Sequence, residues 1–464
     1  MPLKPLELSN VRHKRLPLPC SGHWVAIYLV TALLLGCANP ASQVGTPVAA
    51  ESTRVTASWQ NQFHDQILTQ MIDQALQANT SIRAAQAALQ QSRALRDIKG
   101  ASLLPNLSAS GTAQRSGTDT SAFSNSFRVG LDARWELDLF GGNQSGLNAS
   151  AADTQAAQAT LQDVQVSVAA EVALAYIQIR GLQAQLNIAQ SNLTSQQETL
   201  QITEWRTQAG LLTSLDVEQA RTSVEQTLAQ IPTVTSNLAK IRHSLAVLTG
   251  QRPLELDTQL QVAHPVPQAE QKWVENIPAQ TLRQRFDVRA AEHRISAALA
   301  RVSAAEAARY PSFSLGGSLG LSALTLAGLS NGASLASSAL GSLSVPLFDA
   351  DAAKNQVLAQ EAALEQARSA YQSTVLAALK DVEDALVALS GDQTRLTHLQ
   401  SAATAAENSA LLARQRYASG LIDFQTVLQT QRTLLSVQDS VASTQADISA
   451  DHVRLVKALG GGLN

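Results

Sequence analysis

The chain has 464 residues, with 34 Lys and Arg against 37 Asp and Glu, a formal net charge of −3. Hydrophobic residues make up 45%, but aromatics only 4% and charged residues 15%, so the apolar content is mostly Ala, Leu and Val. This balance excludes a disordered chain, and the absence of a basic tract leaves no electrostatic footprint for nucleic acid. It also departs from compact enzyme cores, which draw buried area from Phe, Tyr and Trp. Small residues and good helix formers suit long helices that pack closely together.

Lys4, Arg12, Lys14 and Arg15 precede an apolar run from Trp24 to Leu35. That run is too short for a spanning helix of ~20 residues, and its flanks are those of a secretory signal. It ends in Leu34-Leu35-Gly36-Cys37, which resembles the bacterial lipobox, where the Cys is diacylated and becomes the mature N-terminus. An ordinary signal peptide with an incidental Cys is the alternative. Ala38, in place of Asp, resembles lipoproteins sent to the outer membrane. Loss of Cys20 with the leader leaves Cys37 as the only cysteine, so neither an intrachain disulfide nor a thiolate metal site is expected.

Prolines are absent from Asn106 to Ile231 and from Leu347 to Asn464. Within the first of these stretches, 143–209 contains only Gly146 and Gly181 as breakers, and a helix of that length runs ~100 Å. Its apolar seam is Leu161, Val164, Val168, Val172, Ala175, Ile179, Leu182, Leu186, Ala189 and Leu193, a near-heptad spacing. The second half repeats the pattern in Val375, Ala378, Val382, Ala385 and Leu389. A second seam beside it, Leu376, Leu379 and Leu386, gives that helix neighbours on two sides, which suits a cylinder wall.

Strands precede each long helix. From Phe127 to Leu139 the odd positions are apolar, with Phe127, Val129, Leu131, Ala133 and Trp135 on one face. Arg128, Asp132, Arg134, Glu136 and Asp138 lie on the other, a strict period of two. Asn106 to Ala113 alternates as well, and Ser312 to Leu321 with Ala339 to Leu347 form a weaker second pair. Loops are expected at Ser116 to Asn125 and Ser322 to Leu335. The two halves superpose at an offset near 206 to 210, with Arg206 to Gly210 matching Arg416 to Gly420. Each unit reads helix, hairpin, very long helix, glycine turn, returning helix.

A strand with one charged and one apolar face can pack on a soluble core, but this chain offers no aromatic-rich layer to cover it. A lipid bilayer outside and water inside a closed barrel satisfy both faces. Four strands cannot close a barrel, since membrane barrels start at about eight, so several chains must share one.

Trp135-Glu-Leu-Asp-Leu-Phe140-Gly141, Arg285-Phe-Asp-Val-Arg-Ala-Ala-Glu292, Tyr310-Pro311, Pro346-Leu-Phe348-Asp349 and Lys457-Ala-Leu-Gly-Gly-Gly462 resemble the motifs of the TolC-like outer-membrane factor family. With the two Arg-x-x-x-Gly turns, they match in particular the lipoprotein branch that serves RND-type efflux pumps. Phe286 stands where the family usually has Pro, and Ala350-Asp351 replaces its Gly-rich start of the second long helix. The resemblance implies a mainly α chain with a membrane β-barrel part, a tandem repeat of long coiled helices and two hairpins. Three copies would build a twelve-stranded barrel, continued by a periplasmic α-helical barrel.

The expected layout is a signal peptide at 1–36, a lipidated segment of an equatorial belt at 37–63 and a first repeat at 64–250 (hairpin 104–139, long helix 143–209). An equatorial connection at 251–282 leads to a second repeat at 283–464 (hairpin 311–347, long helix 350–416). The implied partners are further copies of the chain, a periplasmic adaptor protein, an inner-membrane RND-type pump and outer-membrane lipid, with no cofactor. Arg206, Gly210, Arg416 and Gly420 would form the periplasmic tips where adaptors dock. Asp423 and Asp216, near those turns, are candidate gate residues; the alternative for each is helix N-terminal charge stabilised by the macrodipole.

No catalytic chemistry stands out. Gly316-Gly-Ser318-Leu-Gly320 fits a hydrolase nucleophile elbow by spelling, but it lies in an alternating strand with no helix after it. The eight His residues show no metal-ligand spacing, and Met occurs only at Met1 and Met71. The functional expectation is a passive export channel of a tripartite efflux system. A structural coiled-coil lipoprotein, a type I secretion duct and an outer-membrane lipid hydrolase using Ser318 are the alternatives.

Overall fold

The computed structural model describes residues 59–118, 121–253, 255–256, 260–269 and 283–461, so Cys37 and the signal segment lie outside the described residues. A 3-10 turn at Gln60–Phe63 leads into α1 (Gln66–Ala78) and α2 (Thr80–Ala101). Then come β1 (Asn106–Thr118), β2 (Ser121–Leu137), α3 (Gly142–Gln208) and α4 (Ser214–Leu248). The second half runs α5 (Phe286–Ala307), β3 (Ser312–Ala323), β4 (Ser334–Ser344), α6 (Ala352–Ala418) and α7 (Phe424–Ala458). Both long helices have 67 residues and both returning helices 35, so α3 and α4 map onto α6 and α7 residue for residue. Helices α2 and α5 have 22 residues each but stand at the shorter offset, so the repeats differ in length inside the hairpins.

Local chemistry sets the element ends. Asp65 caps α1 by accepting the Ile67 and Leu68 N–H groups, and Asn79 both ends α1 and caps α2 through Ser81 and Ile82. The leading helix of the first repeat is therefore two helices. At the strand-to-helix corner, Asp138 accepts the N–H groups of Asn143 and Gln144 at 3.1 and 2.7 Å. At the second corner Asp349, which aligns in sequence with Gly141, makes a similar bond by accepting the N–H of Ala353 at 2.9 Å. Phe140 of the first corner stacks on Tyr310, two residues before β3, with ring centroids 4.8 Å apart.

Two expected boundaries need correction. The second long helix spans 352–418 rather than 350–416, because Ala350 and Asp351 adopt positive φ (51° and 66°), where the first corner uses Gly141 at 72°. Left-handed backbone costs a non-glycine residue about 1–2 kcal/mol, so the absent glycines store strain and delay the helix. The loop expected at 116–125 is shorter, since β1 continues to Thr118 and β2 begins at Ser121. Ser, Thr and Asn look like loop by composition, yet cross-strand pairing carries them.

The described residues fall into two compact units, 108–132 with 318–338 and the remainder. In the larger unit α3 packs against α2, α4, α5 and α7, while α6 packs against α5 and α7. The main core surrounds the middle of α3, where Val168, Val172, Tyr176 and Ile179 meet Leu68 and Ile72 of α1, Leu245 of α4 and Val453 of α7. A Cβ on Gly181 would sit 2.9 Å from the Ala446 methyl, so the approach of α3 to α7 needs the missing side chain. On α6, Ala378, Val382, Ala385 and Leu389 are buried, whereas Leu376 of the second seam is 65% exposed. Among the described residues, no helix is long and apolar enough to cross a membrane.

Candidate functional site

The four strands form one sheet in the order β1-β2-β3-β4. Its hydrogen bonds identify the polar face. The Ser110 hydroxyl donates to the Asp132 carboxylate at 2.7 Å, Ser318 pairs with Ser338 at 2.8 Å, and Ser314 with Ser342 at 2.7 Å. These are the even-numbered positions, so Val129, Leu131, Leu315 and Leu319 occupy the opposite face, and all four are exposed. Large apolar groups open to solvent along a sheet mark a surface that something else covers. Phe127 and Trp135 are half-buried on β2, and the Trp135 indole donates to the Leu103 carbonyl at 3.0 Å. Ser318 is thus one rung of a serine ladder within β3, and no helix turns off it.

At the far ends of the long helices, each turn closes in the same way. Gly210 (φ 76°) donates to Thr207 O and Leu211 to Arg206 O; Gly420 (φ 73°) donates to Tyr417 O and Leu421 to Arg416 O. This paired pattern places a glycine in left-handed backbone just past the helix, which explains the spacing of both Arg-x-x-x-Gly motifs. Arg206 does more than precede its glycine. Its guanidinium crosses to α6, donating to Tyr417 O at 2.8 Å and Ala418 O at 2.7 Å, and lies 4.6 Å from the Tyr417 ring centroid. Tyr417 packs with Phe424, Val427 and Leu428 of α7 and Ala220 of α4.

The two candidate gate carboxylates occupy different positions. Asp423 is the N-cap of α7 and accepts from the Thr426 N–H at 2.9 Å and its hydroxyl at 2.6 Å. Those two bonds, the hydroxyl first, hold the Asp423 carboxyl below the usual carboxylate range. Asp216 lies in the first turn of α4 and accepts from the Thr213 N–H and hydroxyl at 3.0 and 2.7 Å. Thr213 corresponds to Asp423 and Asp216 to Thr426, so the repeats exchange the same Asp–Thr pair between two positions. Asp423 is exposed and Asp216 half-buried.

Sequence reasoning did not single out Arg180. It is wholly buried in α3, donating to Gln183 Oε1 and Val262 O at 2.8 Å each and to the Tyr176 hydroxyl at 3.0 Å. Tyr176 in turn donates to Asp65 Oδ2 at 2.7 Å. Burial, followed by the bond to Asp65, pushes the Tyr176 phenol up to about 12. The signal available in the sequence was an Arg inside an otherwise apolar and small-residue stretch. Among the described residues, no cluster of three or more His, Cys, Asp or Glu could hold a metal ion.

Exposed amphipathic strands, paired with helices far longer than a soluble core needs, define a protomer of the outer-membrane channel class. The chain belongs to the outer membrane efflux protein family, whose model matches residues 71–251 and 277–461. It is 34% identical to the solvent efflux pump outer membrane protein SrpC of Pseudomonas putida, over 86% of each chain. It is 31% identical to outer membrane protein OprJ of Pseudomonas aeruginosa, over 88% of this chain and 86% of OprJ. The solved outer-membrane channel OprN has a TM-score of 0.83 and 34% identity, covering 88% of this chain and 96% of OprN.

Proposed function

We propose that the chain is the outer-membrane conduit of a tripartite efflux system in a Gram-negative bacterium, passively conducting drugs or other small molecules delivered by an inner-membrane RND-type pump and a periplasmic adaptor. The observation that carries this reading is a sheet of four strands among the described residues with an uncovered apolar face, in a chain that also leaves Leu376 and Leu379 of the second α6 seam exposed. Both surfaces are used if three copies close one twelve-stranded barrel in lipid and continue it as a barrel of helices. In that assembly Phe127, Val129, Leu131 and Trp135 face lipid, while the Ser110–Asp132 and Ser318–Ser338 side lines water. Cys37 carries the lipid anchor at the start of the segment 37–63. Segments 64–250 and 283–464 are the two repeats, joined through the belt at 251–282.

The turns at Arg206–Gly210 and Arg416–Gly420 are the periplasmic tips that receive the adaptor. Asp423, and less directly Asp216, constrict the closed tip as rings of three carboxylates. The chain acts by conduction and uses no cofactor. The test is accumulation of a fluorescent pump substrate in energised cells. Deletion of the gene should raise accumulation, and the wild-type chain should restore efflux. A Leu131→Arg chain, unable to sit in lipid, should not. Unchanged accumulation on deletion, in cells where the cognate pump is expressed, contradicts the reading.

A further inference from the structure

We propose that Arg416 of one copy of the chain caps the α3 C-terminus of an adjacent copy, donating to the carbonyls of Thr207 and Gln208. The inference rests on the oligomer reading above and adds to it a specific contact. Its template lies inside the chain. Arg206 at the end of α3 reaches sideways to the last carbonyls of α6, Tyr417 O and Ala418 O, and so neutralises the negative end of that helix. The repeat offset makes Arg416 the counterpart of Arg206, and Thr207 and Gln208 the counterparts of Tyr417 and Ala418.

The second half of this exchange is unfilled. Among the described residues, no side chain bonds to the carbonyls of Thr207 or Gln208. Arg416 is exposed, and its guanidinium has no partner within its own chain among the described residues. Beyond the backbone bonds of the turns, the α6 terminus therefore receives a neighbouring arginine, while the α3 terminus receives none and one arginine lacks an acceptor. A ring in which α3 and α6 alternate around the axis satisfies both with the geometry already present once per chain. The surrounding surface is consistent with a second copy as the occupant. Leu412, one turn before Arg416, is exposed, and so is Trp205, one turn before Gln208. Packing the two termini together covers both. Since the acceptors are main-chain carbonyls, the contact needs no acidic partner.

The experiment uses the full-length, membrane-extracted protein and a short bis-maleimide. In the Arg416→Cys, Gln208→Cys double variant, cross-linking should move most of the chain to two and three times its mass on denaturing gels. Each single variant and the wild type should stay at monomer mass. An Arg206→Cys, Ala418→Cys variant should cross-link within one chain and remain at monomer mass. Sedimentation of the same samples before cross-linking separates the two levels of the argument. Trimers that sediment as such but give no ladder overturn the Arg416 contact and leave the channel reading intact. Monomers in sedimentation overturn both. A ladder that appears only when adaptor protein is added would assign the exposed turn to the adaptor and overturn the proposal.

Discussion

Replacing Arg180 by Ala tests whether the buried polar cluster holds the chain connecting the two repeats against α3. The guanidinium donates three hydrogen bonds of 2.8–3.0 Å, one of them to Val262 O in that connection. The variant leaves Gln183 Oε1 without this donor in the interior, at about 1–3 kcal/mol, and releases the more exposed Val262 carbonyl. It also removes the cation that faces the Asp65–Tyr176 pair. Truncating one member of a buried charged network costs about 3–5 kcal/mol in total, and the same range is expected here. Arg180→Lys keeps the charge but loses the fork, so it should fall between the two. The assay is sensitivity to a glutamate-specific protease at the exposed Glu255, and the urea midpoint of the detergent-extracted protein. The expected result is faster cleavage near the connection and a lower midpoint in the order wild type, Lys, Ala. An Ala variant within about 1 kcal/mol of wild type, with unchanged cleavage, would refute the claim that this cluster fastens the connection.

Leu131→Arg should reduce the yield of assembled protein far more than Asp132→Asn, because a charge facing the bilayer midplane costs about 2–4 kcal/mol; equal yields would place the apolar face elsewhere than in lipid. Cys37→Ala should abolish labelling by radioactive palmitate and alter processing, with reduced rather than absent export; unchanged labelling refutes the anchor. His452 is buried in α7, which lowers its pKa to about 4. Since the unfolded imidazole protonates first, the stability that this histidine confers is complete above about pH 6.5 and falls by about 3 kcal/mol as the pH drops to 4. His452→Gln should flatten that acid limb of the unfolding curve, and an unaltered slope would assign the acid sensitivity to other groups.

Most of the architecture was legible because it rests on local periodicity. The two-residue alternation of β2 and the near-heptad of α3 each follow from a single element's geometry, and the glycine turns follow from backbone sterics. The repeat offset made the second half readable from the first, even where Ser312–Ala323 alternates weakly. The α6 start was misplaced because left-handed φ at Ala350 and Asp351 is a decision of the corner rather than of residue preference. The long-range partners of Arg180 and Arg206 were illegible for a different reason. Val262 O and Tyr417 O are main-chain atoms that lie 82 and 211 residues away in sequence and carry no residue-type signal. Asp216 and Asp423 looked like similar turn carboxylates, and only the three-dimensional register shows that each takes the role of a threonine in the other repeat.

Electrical recording tests the central claim most directly. The purified full-length protein, reconstituted in planar bilayers, should produce discrete conductance steps of one repeating size. Asp423→Ala should lengthen or enlarge the open events, on the proposal that its carboxylates constrict the closed tip. Cells carrying that variant should also become more sensitive to vancomycin. Protein that floats with lipid vesicles and yet gives no conductance, in the wild type and in Asp423→Ala alike, would contradict the account of this chain as a channel.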